Sequence, residues 1–175
     1  SLITEGINNL NYRNTTETKP VFNYSVDEIN LENMEGAIKA DNIEIKYSSY
    51  HTTNYTYDEI NKVYLRSMAG KEHVDAVTGV QYTAKNIITY QVKNYSLDSK
   101  DRQELENIGS GEGYFITNGY AIPITWEKTS RNSKTIYKYK NNGEEIKLND
   151  GNTWVQIQPK DKYLGITENI SNIEE

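Results

Sequence analysis

Two stretches of the sequence bring together side chains that could do chemistry. Any imidazole base must be His51 or His73, the only histidines. His51 lies in Ser48-Ser49-Tyr50-His51-Thr52-Thr53, a polar turn, and reads as solvent-facing. His73 stands with Arg66, Glu72 and Asp75 on a strand end and the loop behind it, where a scaffold presents reactive groups. In a hydrolase or transferase His73 would be the base, Asp75 would orient it, and Arg66 or Arg131 would hold an anionic group. The plainer reading is a local His73–Asp75 hydrogen bond. No serine is placed as a nucleophile, so a Ser-His-Asp triad is unsupported.

The second stretch is Trp126-Glu127-Lys128-Thr129-Ser130-Arg131-Asn132-Ser133. A Trp followed by cations and hydroxyls can stack on a sugar or grip an anion, and Arg131 can offer a fork to a carboxylate or phosphate that Lys cannot reproduce. Its partner would otherwise be internal, such as Asp75 or Glu127. The competing reading has Trp126 and Trp154 plugging the sheet core, with Lys128 and Arg131 solvated. Gly109-Ser110-Gly111-Glu112-Gly113 resembles a phosphate loop, but a strand rather than a helix follows it, so it reads as a flexible turn or bulge. The chain has no nucleophile elbow, no His pair at metal spacing and no calcium-loop pattern. We therefore expect neither metal nor cofactor.

The scaffold that must position these groups is a chain of 175 residues, 35% hydrophobic and 25% charged, with net charge -6. That length suits one domain or a small two-lobed unit burying about 70% of its unfolded surface. Zero Cys excludes disulfide scaffolds, thiolate metal sites and cysteine nucleophiles. The acidic balance opposes binding of nucleic acid across a broad face. No apolar run of about 18 residues exists, and Ser1 to Glu5 lacks the basic start of a signal peptide. With 15 Tyr against 2 Phe and 2 Trp, the large apolar mass is amphipathic.

Residues 1–40 read as a peripheral segment. Asn8 to Lys19 has loop composition, Val21 to Tyr24 is a short strand candidate, and Ser25-Val26-Asp27-Glu28 has capping-box spacing for a brief helix ending near Gly36. Residues 41–159 form the β-rich domain. Ile43 and Ile45 alternate with charged residues, Asn54–Tyr57 and Lys62–Arg66 make a hairpin, and Asn86–Val92 is a β-branched strand expected to lie centrally. Ser67 to Thr83 reads as a long connection, and Leu97 to Ile108 is ambiguous between a weak alternation of Arg102, Glu104 and Glu106 with Gln103, Leu105 and Asn107 and a short helix. Asn118-Gly119, Asn142-Gly143 and Asp150-Gly151 predict three successive hairpin turns. Pro123 predicts an edge or a bulge in its strand. Residues 160–175 read as an acidic, thinly apolar tail.

The order and spacing of Gly111 to Trp126, Ser130-Arg131, Asn142 to Leu148 and Gly151 to Ile157 resemble the carboxy-terminal domain of YerB-like lipoproteins. The likeness extends upstream through Tyr57-Asp58, Tyr64-Leu65-Arg66, His73-Val74-Asp75 and Asn86-Ile87-Ile88. It covers roughly Asp41 to Pro159. The ligand-binding candidates are Arg131, Trp126, Lys128 and Asn86. The resemblance implies a domain of unknown function from Gram-positive bacteria, held outside the cell membrane. It also implies a preceding half, with signal and lipid-bearing cysteine, that this chain lacks. That half would be a partner, leaving a docking scar or self-association, and the lipid anchor would be the only link to the membrane.

These readings converge on a mainly β fold, an antiparallel meander, sandwich or partly open barrel with one or two short helices; the alternative is α+β. Functionally they point to an extracytoplasmic, non-enzymatic binding or structural module that meets a cell-wall component or a membrane protein. The alternative is a hydrolase or transferase acting on an envelope polymer through His73, Asp75 and Arg66.

Overall fold

The computed structural model describes residues 20–169 together with Leu2, Thr4, Glu5 and Asn9, these four in helical conformation. The strands in chain order are β1 (Ile38–Lys39), β2 (Asn42–Lys46), β3 (Thr52–Asp58), β4 (Val63–Met68), β5 (Lys71–Glu72), β6 (Thr83–Ala84) and β7 (Asn86–Val92). They continue as β8 (Asn94–Ser96), β9 (Gln103–Leu105), β10 (Gly109–Thr117), β11 (Tyr120–Lys128), β12 (Ile136–Tyr139), β13 (Thr153–Pro159) and β14 (Leu164–Thr167). The first sheet runs β1-β11-β10-β7-β13 with β12 also on β11, the second runs β14-β2-β3-β4-β5 with β6 on β4, and β8–β9 is a separate ribbon.

The fold is thus mainly β, with open sheets and no closed barrel. Side chains alternate across each strand, so neighbours in sequence enter different layers. Ile87, Ile116 and Ala121 face the second sheet and pack with Ile43, Ile45, Tyr55, Tyr64 and Ala84. Ile88, Phe115, Ile122, Ile124 and Trp126 face the other way, onto Leu31, Ile146 and Leu148 with Phe22, Ile29 and Met34. Because both faces of the first sheet are covered, Asn86 to Tyr90 of β7 are all buried. The central position expected for this strand follows from β10 on one side and β13 on the other.

Local turn chemistry accounts for the hairpin β10–β11, where Asn118 and Gly119 have φ of 51° and 80°. Around Asn142-Gly143 the return is a bridge from Lys138 to Glu145 rather than a full strand. After Asp150-Gly151 the chain makes no hairpin at all. It crosses instead to run parallel to β7 as β13, so the first sheet is mixed. The glycine run lies inside β10, opposite Trp126 and the Thr89 carbonyl, and is neither turn nor bulge.

The predicted helix from Ser25 to Gly36 is absent, because its backbone is bonded elsewhere. Ser25 N–H donates to the Leu148 carbonyl at 2.8 Å and Ile29 N–H to Asn149 Oδ1 at 2.7 Å. Glu28, the acid of the expected capping box, reaches Lys62 and Lys85 at 2.9 and 3.2 Å. Leu97 to Ile108 is no helix either, since it holds the turn and second strand of the β8–β9 ribbon. Both helices of the α+β alternative are therefore lost. Within the stretch read as a tail, Leu164–Thr167 forms a strand paired with β2. Leu31, in the segment read as peripheral, is fully buried in the core. Pro123 is neither at a free edge nor at a bulge: it falls where the outer side of β11 changes partner from β1 to β12. Its carbonyl accepts from Lys140 on that side, so its missing N–H also points away from the β10 ladder.

Candidate functional site

Arg66 and His73 do meet. The hairpin β3–β4 places Arg66 on the face turned toward the first sheet, on the same side as Tyr55 and Tyr64, and β5 folds the following loop back beside it, with His73 N–H donating to the Arg66 carbonyl at 3.1 Å. Arg66 is 6% exposed. Its Nη1 donates to His73 Nδ1, its Nη2 to Thr53 Oγ1 at 3.3 Å, and its Cζ sits 4.5 Å from the centre of a Trp154 ring. Among the described residues no carboxylate pairs with it, and its buried Nε has no partner. The charge is held by aromatic faces, Trp154 and more distantly Tyr55 at 6.0 Å.

This arrangement defines what His73 can do. A guanidinium only donates, so Nδ1 is the unprotonated nitrogen. Partial burial, and after it the positive charge of Arg66, push the His73 pKa down. Asp75 does not orient it. Asp75 Oδ1 accepts from Thr78 N–H at 2.8 Å and from Thr78 Oγ1 at 3.0 Å, closing its own turn, while Oδ2 accepts from Tyr82 OH at 3.0 Å. The Tyr82 ring lies 4.7 Å from the His73 ring and joins the two residues only indirectly. Behind Arg66, Tyr47 OH donates to Gln156 Oε1, and Gln156 Nε2 donates to Tyr55 OH at 2.6 Å. Burial pushes Tyr55 up to about 12, so the cluster carries no base on that side.

The second stretch divides. Trp126 is a core residue, 4% exposed and 4.8 Å from the Tyr90 ring, as the plainer reading had it. Gly111 lies directly opposite, where a Cβ would meet the indole Nε1 at 2.8 Å, which explains a glycine there. Lys128 Nζ donates to the Ser133 carbonyl and so closes the loop that carries Arg131. Arg131 itself is exposed and makes no hydrogen bond or ion pair with a described residue. It lines a cavity of about 570 Å³ with Lys128 and Glu104 to Ile108.

Asn86 is unavailable to a ligand. It is fully buried, donating to the Asn149 carbonyl at 2.8 Å and Thr153 Oγ1 at 3.2 Å while accepting from Asn149 N–H at 3.1 Å. It ties the 140s segment to β7. Nor do the two candidate groups converge. Trp154 shares a register row with Ile87, Ile116 and Ala121, whereas Arg131 lies beyond the far end of β11. The residues that reading the sequence missed are Trp154 under Arg66 and the Glu104–Ile108 wall beside Arg131. Only the tertiary pairing brings them there, and no local spacing signals either.

A larger cavity of about 630 Å³ lies between Glu28, Glu32, Asp41, Glu59, Lys39 and Lys62. Lys62, then Lys85 and Asn118, hold the Glu28 carboxyl down at about 2. Among the described residues no group of three or more His, Asp or Glu is placed to hold a metal, and no helix is long and apolar enough to cross a membrane.

Comparison with known proteins agrees with this architecture. A search of curated proteins found no match. The crystal structure of YerB protein from Bacillus subtilis superposes with a TM-score of 0.71 at 20% identity, over 95% of this chain and 53% of that one. The chain thus spans about half the length of that relative. The model of the family described as "Protein of unknown function (DUF3048) C-terminal domain" matches residues 43–155. With its β-rich fold and that match over most of its length, the chain belongs to this family.

Proposed function

We propose that this domain is a non-enzymatic binding module, exposed on the outer side of a cell membrane, that takes an anionic group of a cell-envelope component at Arg131. The observation that carries this reading is the guanidinium of Arg131, without a partner among the described residues, at the wall of a cavity of about 570 Å³. An internal fastening role needs an acid, and neither Asp75 nor Glu127 pairs with it. Leu105 and Ile108 give the same cavity apolar surface, Lys128 adds an ammonium already bonded to the Ser133 carbonyl, and Glu104 and Glu106, the latter paired with Lys93, complete the wall. A guanidinium beside apolar wall suits a carboxylate or phosphate borne on a larger body. The location rests on the resemblance to lipoproteins, and the half of the protein that YerB has in addition is a second proposed partner. No observation favours the hydrolase reading, since His73 is engaged with Arg66 and Asp75 with Thr78 and Tyr82.

The test is a set of thermal melts and binding titrations on wild type, Arg131→Ala and Arg131→Lys. Probes are cell-wall fragments bearing phosphate in one arm and carboxylate in the other. Both variants should melt within about 0.5 kcal/mol of wild type, as expected of an exposed unpaired side chain. Binding should vanish in Arg131→Ala and weaken about tenfold or more in Arg131→Lys. Unchanged binding in both variants would remove Arg131 from any site.

A further inference from the structure

Natural sheets blunt their edges with short strands, charges or cover, because a row of free N–H and C=O groups recruits another strand. Most edges here follow that rule. β1, β5 and β6 are two residues each, β5 consists of Lys71 and Glu72, β12 carries Lys138, and β14 is four residues long. β13 does not. It is a seven-residue edge, Thr-Trp-Val-Gln-Ile-Gln-Pro, without one charged side chain.

The phase of its ladder says which groups are free. Asn86 N–H donates to the Asn152 carbonyl at 3.1 Å, and Lys160 N–H donates to the Val92 carbonyl at 2.7 Å. In a parallel pair this turns both backbone groups of Trp154, Gln156 and Gln158 toward β7. The N–H and C=O of Thr153, Val155 and Ile157 therefore point out of the sheet, and no described residue bonds to them. Pro159 has no N–H, and its carbonyl is taken by Lys162 N–H at 3.3 Å.

Three free donors and three free acceptors at alternate positions, centred on Val155, are self-complementary. We propose that β13 pairs antiparallel with β13 of a second copy of this chain about a two-fold axis at Val155, joining the two first sheets edge to edge. In that register Val155 opposes Val155 of the second copy, and Thr153 opposes its Ile157. Every outward backbone group of the three residues then finds a partner. The strand brings no charge to the contact, so the acidic surface of each copy meets no opposing charge in register. Backbone pairing over so short a strand gives a small interface, and the dimer should be weak, with a Kd of about 10–100 µM. Arg131 takes no part.

The test is sedimentation equilibrium of the 175-residue chain from about 5 to 500 µM, with hydrogen exchange at both extremes. The mass of wild type should rise from the 20.1 kDa monomer toward twice that value. Val155→Pro removes one outward N–H and no bond to β7, and should remain monomeric. Exchange on wild type keeps the question open to decision if that variant fails to fold. The Val155 and Ile157 amides should exchange quickly at low concentration and become protected at high concentration, while those of Trp154 and Gln156 stay protected throughout. Monomer at every concentration, a dimer that survives Val155→Pro, or Val155 and Ile157 amides equally protected at all concentrations would each overturn the proposal. The last would mean that another segment of the same chain covers the edge.

Discussion

Arg66 shows how little of a site can be written in local spacing. Its proximity to His73 was legible, because a strand and its returning loop must bring their residues together. That Asp75 would turn away was not, since Thr78 and Tyr82 compete for the carboxylate and only the folded loop decides between them. The consequence can be measured. Burial and the Arg66 guanidinium lower the folded-state pKa of His73 from the ordinary 6.5. The unfolded chain then takes up a proton below about pH 6.5 that the folded chain refuses. The stability His73 contributes is therefore complete above that pH and is lost as pH falls through the folded pKa. Thermal melts of wild type and His73→Asn should keep a constant separation from pH 7 to 9. Between pH 6.5 and 5, wild type should fall more steeply than the variant. Parallel slopes would mean that burial and Arg66 do not lower the His73 pKa in the fold.

At the scale of elements, the sequence was most informative where the decisive contact is a neighbour in the chain. Alternation and the Asn118-Gly119 turn are sufficient for β10–β11, and the β-branched run of Asn86–Val92 is sufficient for a central strand. The chain only bends at Asp150-Gly151, with Gly151 at φ 129°, and the strand after it pairs with β7, a choice that no local residue encodes. The capping-box spacing of Ser25 and Glu28 misled for the same reason, as distant lysines outbid the helix for the carboxylate. The glycines separate these cases quantitatively. At Gly113 a Cβ would lie 2.3 Å from the Thr89 carbonyl oxygen of the adjoining central strand. At Gly143 the space is open and only the φ of 76° is unfavourable. Gly113→Ala should therefore cost more than about 2 kcal/mol, and Gly143→Ala about 1–2 kcal/mol. Urea melts of the two variants measure both. A Gly113→Ala as mild as Gly143→Ala would contradict the β7–β10 register.

Across the whole molecule, one sheet is enclosed between a second sheet and an irregular layer drawn from residues 20–37 and the 140s. Tyr and Asn do much of the joining that Phe and Leu do elsewhere, as in the Asn86–Asn149 bonds and the Tyr47–Gln156–Tyr55 chain. In such a scaffold much of the buried polar surface serves structure, and among the described arginines Arg131 alone makes no hydrogen bond or ion pair with a described residue. Chemical-shift mapping by NMR of the 175-residue chain, titrated with phosphate- and carboxylate-bearing cell-wall fragments, tests its proposed binding role most directly. The account predicts saturable shifts confined to Glu104–Ile108, Lys128 and Arg131, with the fragments recovered unaltered. Shifts centred on Arg66, His73 and Trp154, or fragments converted to new products, would contradict it.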